Sequence, residues 1–196
     1  MHNPNQIHIF PLKLVLVPGE SVPLNIFEVR YIDLMKTCLS DSRPFGICCI
    51  LDGNETDSSV KYETVGCSAT ITNWEMPKMG IYHIEVLGQN PFSIDKTKML
   101  KNGLIEAEVS WLSDHEGDLD IDNVTMCKAL LKEIFGKLNE PLTSTERGKK
   151  SARWVSYRLA EFLASNLKLK QQLLEERIDA QRIAKIISLL GLSFRE

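Results

Sequence analysis

The chain has 196 residues, 43% hydrophobic and 25% charged, with a formal net charge of −3. That is enough apolar material to bury a core without disulfides or metal, and it excludes a largely disordered chain. No apolar run reaches the roughly 18 residues that a membrane span needs. The start, Met1-His2-Asn3-Pro4, has neither the basic region nor the apolar stretch of a secretory signal.

Residues 1–117 read as strands. Short strands fit Ile7–Phe10, Val15–Val17 and Leu24–Ile26. A helical stripe of Val29, Ile32, Leu34, Met35, Cys38 and Leu39 then predicts one helix from about Glu28 to Ser40. Phe45–Leu51 is an apolar run suited to a central strand. Val65, Cys67, Ala69 and Ile71 alternate with polar residues, as do Tyr82, Ile84 and Val86, and Ile105, Ala107, Val109 and Trp111. Period two marks half-buried strands. Phe92–Ile94 adds another short one. Pro18-Gly19, Asp52-Gly53-Asn54, Pro77–Gly80 and Asn102-Gly103 supply the turns. Many short strands at this spacing predict a sandwich or barrel.

Residues 118–196 read as helices. Val124, Cys127, Leu130, Leu131, Ile134 and Leu138 fit a helix capped by Asp120 or Asp122. Thr143 and Glu146 have capping-box spacing. Ala152, Val155, Leu159, Phe162 and Leu163 form the next apolar face, and Leu169, Leu173 and Leu174 a short one. Asp179 is placed to cap a last helix through Ile183, Ile186, Ile187 and Leu190, closed by Gly191. The expected organisation is therefore a β-domain over 1–117 and a helical domain over 118–196, with Ser113–Gly117 as the hinge. Charge follows the same division. The first part holds nine Lys/Arg against fifteen Asp/Glu, the second fourteen against eleven. Neither is basic enough to take nucleic acid as its main partner.

Catalytic motifs are missing. Gly148-Lys149-Lys150-Ser151 resembles the end of a phosphate-binding loop, but Thr143 stands where the first glycine belongs and Lys150 where Ser or Thr is required. There is no Gly-x-Gly-x-x-Gly and no Gly-x-Ser-x-Gly. Cys48 and Cys49 are adjacent in a strand and so point to opposite faces, while Cys38, Cys67 and Cys127 stand alone on apolar stripes. None of them has zinc-ligand spacing. The four histidines, His2, His8, His83 and His115, are dispersed, and His83 lies on the polar face of its strand. The expectation is no enzyme activity, no cofactor and no metal. Five free thiols point to a reducing compartment and a cytoplasmic location.

Phe10-Pro11-Leu12, then Val17-Pro18-Gly19, then Pro23-Leu24-Asn25-Ile26-Phe27-Glu28-Val29-Arg30-Tyr31 resembles the start of the Lon protease N-terminal, substrate-binding domain. Phe45-Gly46 and Val65-Gly66-Cys67-Ser68-Ala69 are similar to that family's following strands. Tyr82–Ile94 is similar to its next segment, with Pro91 where the family has Arg. Leu159–Leu163 and Lys170–Glu175 resemble the helical part beyond the β-domain. The resemblance implies an α+β fold: a PUA-like, partly open β-barrel with one inserted helix, followed by a C-terminal helical bundle. It implies binding of unfolded or extended polypeptide, or of a protein partner, without catalysis. With the sequence ending at Glu196, it implies a stand-alone protein without the ATPase and protease domains, with an adaptor or chaperone-like role. An uncharacterised hydrolase or small-ligand-binding protein on the same barrel is the alternative reading.

Independently of the resemblance, Trp74, Met76 and Met79 cluster around Pro77 at the tip of an expected hairpin. Regular alternation places Trp74 on the side of Thr70 and Thr72. Turn tips are exposed, so apolar residues there ask for a partner. Methionine is adaptable and suits promiscuous contacts. Trp74, Met76 and Met79 are the candidate polypeptide-binding residues, against the alternative that Trp74 and Met76 fold back onto the core. Glu28, Arg30 and Tyr31 read as structural. The basic run Arg147, Lys149, Lys150 and Arg153 reads as a solvated surface.

Overall fold

The computed structural model describes residues 4–53, 60–137, 151–163 and 166–191. The chain falls into two compact units, Met1–Leu112 and Ser113–Glu196. The capping box at Thr143 and Glu146, the Gly148–Lys150 stretch and most of the basic run lie outside the described residues.

The first unit comprises β1 (Gln6–Leu12), β2 (Ser21–Ile26), α1 (Val29–Asp41), β3 (Phe45–Asp52), β4 (Lys61–Tyr62), β5 (Val65–Lys78), β6 (Ile81–Met99) and β7 (Ile105–Trp111). Strands β1, β7, β6, β5 and β3 are paired in that order, and β3 returns to β1 through a parallel pairing, Ile9 opposite Gly46. The product is a mostly antiparallel, ring-like, partly open barrel with α1 inserted between β2 and β3, as the resemblance implied. β6 is long enough to serve two neighbours. Its first half pairs β2, from Ser21 opposite Leu87 to Ile26 opposite Tyr82, and its second half pairs β7.

Phe92 organises the interior. Its ring is fully buried among Ile7, Ile9, Cys48, Ile105, Ala107 and Val109. A Cβ on Gly46 would lie 2.5 Å from Phe92 Cζ, and one on Gly66 2.8 Å from the same atom. Phe45-Gly46, Val65-Gly66 and Phe92, three separate stretches of the resemblance, are thus one contact: the ring takes the space that two side chains give up.

Helix α1 covers a neighbouring part of the barrel with Tyr31, Leu34, Met35 and Cys38. Phe10 stacks on Tyr31 with ring centroids 3.8 Å apart. The void left between Tyr31, Leu34, Met35, Ile71 and Ile84 is about 10 Å³, at the lower limit for one water molecule. Ser42 ends α1 in the left-handed conformation, at φ 53°.

Two local expectations are corrected. Val15–Val17 is buried, yet it forms no strand. Glu20 explains why: its N–H bonds Val17 O at 3.1 Å and its carboxylate accepts from Val17 N–H at 3.0 Å, so a turn takes the groups a ladder would use. Phe92–Ile94 is no separate strand either but the continuation of β6 beyond Asn90.

The second unit comprises α2 (Ile121–Lys137), α3 (Ala152–Leu163), α4 (Leu167–Glu175) and α5 (Asp179–Leu190). Asp120 Oδ1 accepts from the N–H groups of Asp122 and Asn123 and so caps α2. Asn166 caps α4 by accepting from Leu169 N–H at 2.8 Å. Gly191 closes α5 at φ 63°. The shared core is Cys127, Leu131, Val155, Leu159, Leu173, Ile183 and Ile186. One expectation changes. The cap position of α5 is Ile178, and Asp179 is already in the helix, buried against Arg182 at 2.9 Å. Segment 113–117 is bonded into this unit: His115 N–H donates to Arg177 O, and Asp179 N–H donates to His115 O, both at 2.8 Å. No helix among the described residues is long and apolar enough to cross a membrane.

Candidate functional site

Beyond Ile71, β5 runs along β6 as an edge strand, while the other side of β6 stays paired to β2 as far as Tyr82. Residues 72–80 are all exposed. The tip is the two-residue turn Met79-Gly80 between the paired Lys78 and Ile81. Gly80 sits at φ 80°, which a side chain would strain, and nothing lies within 4 Å of where its Cβ would be.

A bulge sets which way the hairpin faces. Ile71 pairs Val86, Asn73 pairs Glu85, and Trp74 pairs Ile84. The extra residue on β5 moves Trp74 to the side of Ile71 and Ile84, opposite to the side that regular alternation gives it. Ile84 is buried near α1. Trp74, opposite it on the outer strand, is 51% exposed. Its ring meets Tyr82 at a centroid distance of 6.2 Å. Met76 is 49% exposed and Met79 92%. The other side of the hairpin is polar. His83 Nδ1 lies 3.3 Å from Glu75 Oε1, and Ser21 Oγ donates to Glu85 Oε1 at 2.8 Å. The hairpin therefore has an aromatic side and an acidic side.

Trp74, Met76 and Met79 lie together on the exposed end of β5 and its turn. Sequence reasoning did not offer Phe27 or Tyr82 as contact residues. Phe27 is 61% exposed and directly follows Ile26, whose Cα partner is Tyr82. The signal was available: an aromatic residue immediately after a paired strand and before a helix has no assured place in the core. Glu28 and Arg30 pair at 2.9 Å, Arg30 Nη1 donates to Gly103 O at 3.1 Å, and the guanidinium lies 4.6 Å from the Tyr31 ring centroid. That motif fastens the start of α1 to the loop before β7.

All five thiols are buried. Burial, with the Asp41 carboxylate adding to it, pushes the Cys38 thiol up to about 12. Burial raises Cys127 to about 11 and raises Cys48 as well. Protonated thiols neither attack nor ligate. Among the described residues no group of three or more His, Cys, Asp or Glu could hold a metal ion.

The densest charge cluster, in the second unit, is consumed by its own bonds. Arg182 is fully buried between Asp114 and Asp179, at 3.2 and 2.9 Å. It also donates to Ser156 Oγ and to the carbonyls of Leu173 and Glu176, and stands 4.0 Å from the Tyr157 ring centroid. Arg177 reaches Asp114 at 2.9 Å. Burial raises the Asp179 carboxyl above its ordinary range, against the pull of Arg182 and Arg153.

The model of the ATP-dependent protease La (LON) substrate-binding domain matches residues 6–191. A Lon N-terminal domain protein from Xanthomonas campestris is similar in structure at a TM-score of 0.74 and 27% identity, over 93% of this chain and 97% of that one. The N-terminal domain of the Mycobacterium avium complex Lon protease shares the fold at a TM-score of 0.70 and 18% identity, over 96% and 100%. No curated protein matches the chain. With the match running from the first strand to the end of the last helix, the chain belongs to the Lon substrate-binding domain family.

Proposed function

We propose that this protein binds unfolded or extended polypeptide through the β5–β6 hairpin and acts without catalysis, as an adaptor or chaperone-like factor in a reducing compartment such as the cytoplasm. The observation that carries the reading is the exposure of Trp74, Met76 and Met79 together at the outer end of the β5–β6 hairpin. Exposing large apolar side chains to water is unfavourable, by roughly 25 cal/mol for each Å² left uncovered. A hairpin tip that keeps one tryptophan and two methionines in solvent has a surface suited to burial against a partner. Tryptophan supplies an anchor, and methionine fits many shapes around it. Membership in a substrate-binding family supports the same reading. Catalysis draws no support from the thiols, all buried, or from Arg182, whose guanidinium is taken up by Asp114, Asp179, Ser156 and two backbone carbonyls.

The test compares wild type with Trp74→Ala/Met76→Ser, using fluorescence anisotropy of a labelled unfolded peptide. Both side chains are about half exposed, so circular dichroism should show equal folding. The variant should bind at least about thirtyfold more weakly, the equivalent of losing a 2 kcal/mol anchor. Unchanged affinity would contradict the role of the hairpin.

A further inference from the structure

A second surface of the first unit is built on different chemistry. β6 carries an extra residue where Cys67 pairs Pro91 and Ala69 pairs Gly88, and this bulge presents Gln89 and Asn90. Beside it lies an open groove of about 990 Å³, walled by Asn5 and Gln6 at the start of β1, by Ser68 and Thr70 of β5, and by the segment Asp41–Pro44. We propose that this groove holds the main chain of an extended polypeptide through side-chain amides, an inference that rests on the polypeptide-binding reading above.

The bulge is held by side chains. Ser68 Oγ accepts from Asn90 N–H and donates to Asn90 O, both at 3.0 Å. Gln89 Nε2 donates to Thr70 Oγ1 at 3.0 Å, which fixes the amide and leaves its carbonyl oxygen without a partner among the described residues. The side-chain amides of Asn5, Gln6 and Asn90 likewise make no hydrogen bond among the described residues. Four amides from two strands thus surround one depression. A primary amide offers both a donor and an acceptor, the complement of a peptide group, and it carries no charge. It reads the main chain and is indifferent to the side chains, which suits a binder of many sequences.

The charges present do not suit a phosphate ligand. Arg43 and Asp41 lie 3.9 Å apart, so the one cation of the wall is offset by its neighbour. A polar wall likewise does not suit an apolar small molecule. The groove and the hairpin can be separated by experiment. Thr70 pairs Leu87 and lies on the opposite side of β5 from Ile71 and Trp74.

The experiment uses the full chain and one labelled unfolded peptide in two forms, unmodified and N-methylated at alternate residues. Methylation deletes backbone donors and keeps the side chains. Each peptide is titrated against wild type, Gln89→Ala/Asn90→Ala and Asn5→Ala/Gln6→Ala, with thermal unfolding to verify folding. Should the bulge variant melt lower, the Asn5 and Gln6 pair, both exposed, carries the comparison. Wild type should lose about five- to tenfold in affinity on methylation, the effect of two or so hydrogen bonds. Each groove variant should bind the unmodified peptide more weakly by a similar factor, and methylation should then cost it little more. Groove variants that match wild type on both peptides would overturn the groove assignment and leave the hairpin reading standing. Wild type that binds neither peptide would overturn both.

Discussion

Trp74 stands opposite Ile84 in the β5–β6 ladder, yet Ile84 is buried and Trp74 is half exposed. The two residues share one face of the sheet, but Ile84 lies between two strands, with Leu24 of β2 on its other side, and Trp74 lies on the outer strand. The apolar face of Ile84 thus runs on across the sheet to a half-exposed tryptophan. A hairpin of this kind presents core-like surface on a strand pair.

The buried cluster of the second unit should respond to substitution as a structural device. Arg182→Met removes the cation that lies between Asp114 and Asp179 and leaves two nearly buried carboxylates with less compensation. The expected cost is about 3–5 kcal/mol by chemical denaturation. Peptide affinity of the folded fraction should be unchanged. A loss under about 1 kcal/mol would show that Arg153 and Arg177 suffice to compensate both acids.

Two glycines should fail for different reasons. A Cβ on Gly66 would meet Ile47 O at 2.5 Å and Cys48 Sγ at 2.6 Å, in a packed interior. Gly66→Ala should cost about 1–3 kcal/mol or more from overpacking. Gly80→Ala meets no atom within 4 Å and pays only for φ 80°, about 1 kcal/mol. Thermal melts of the two variants should rank Gly66→Ala as the more damaging. The reverse order would contradict the packing of Phe92 against Gly66.

Thiol reactivity has a definite expectation. A raised pKa keeps a thiol protonated until the pH approaches that value, so Cys38 at about 12 and Cys127 at about 11 hold almost no thiolate at pH 8. Reaction with an aromatic disulfide reagent at pH 8 should be slow for the native protein, then show five equivalents on denaturation. Fast reaction of one native thiol would reveal a reactive site.

Much of this architecture was legible in period-two alternation. Ile105–Trp111 alternates because one side of the strand meets the cluster around Phe92, whereas in Val65–Ile71 Gly66 takes the Phe92 side and Cys67, Ala69 and Ile71 take the opposite face of the sheet. The α1 stripe appears as Leu34, Met35 and Cys38 because 3.6-residue spacing brings them to one face. What escaped the pattern were features decided by single side chains at a distance. Val15–Val17 has strand composition, but the Glu20 carboxylate claims its N–H. The bulge at Ile71–Asn73 reverses the face of Trp74, and no local residue type announces it. Arg182 sits in an apolar stripe where a charge reads as solvent-facing, until Asp114 arrives from 68 residues away. Trp74, Met76 and Met79 were visible as candidates because apolar residues beside a Pro77 turn have few ways to be buried. The amides of the groove come from strands far apart in sequence and form no motif.

Recognition of unfolded chains, as proposed, separates this protein from a binder of one folded partner. The most direct measurement titrates wild type with one labelled, disulfide-stabilised protein in its native form and in its reduced, alkylated, unfolded form, followed by anisotropy. The unfolded form should bind saturably, competed by excess unlabelled unfolded casein, and the native form should not bind. Equal binding of both forms, or of neither, would contradict the proposal.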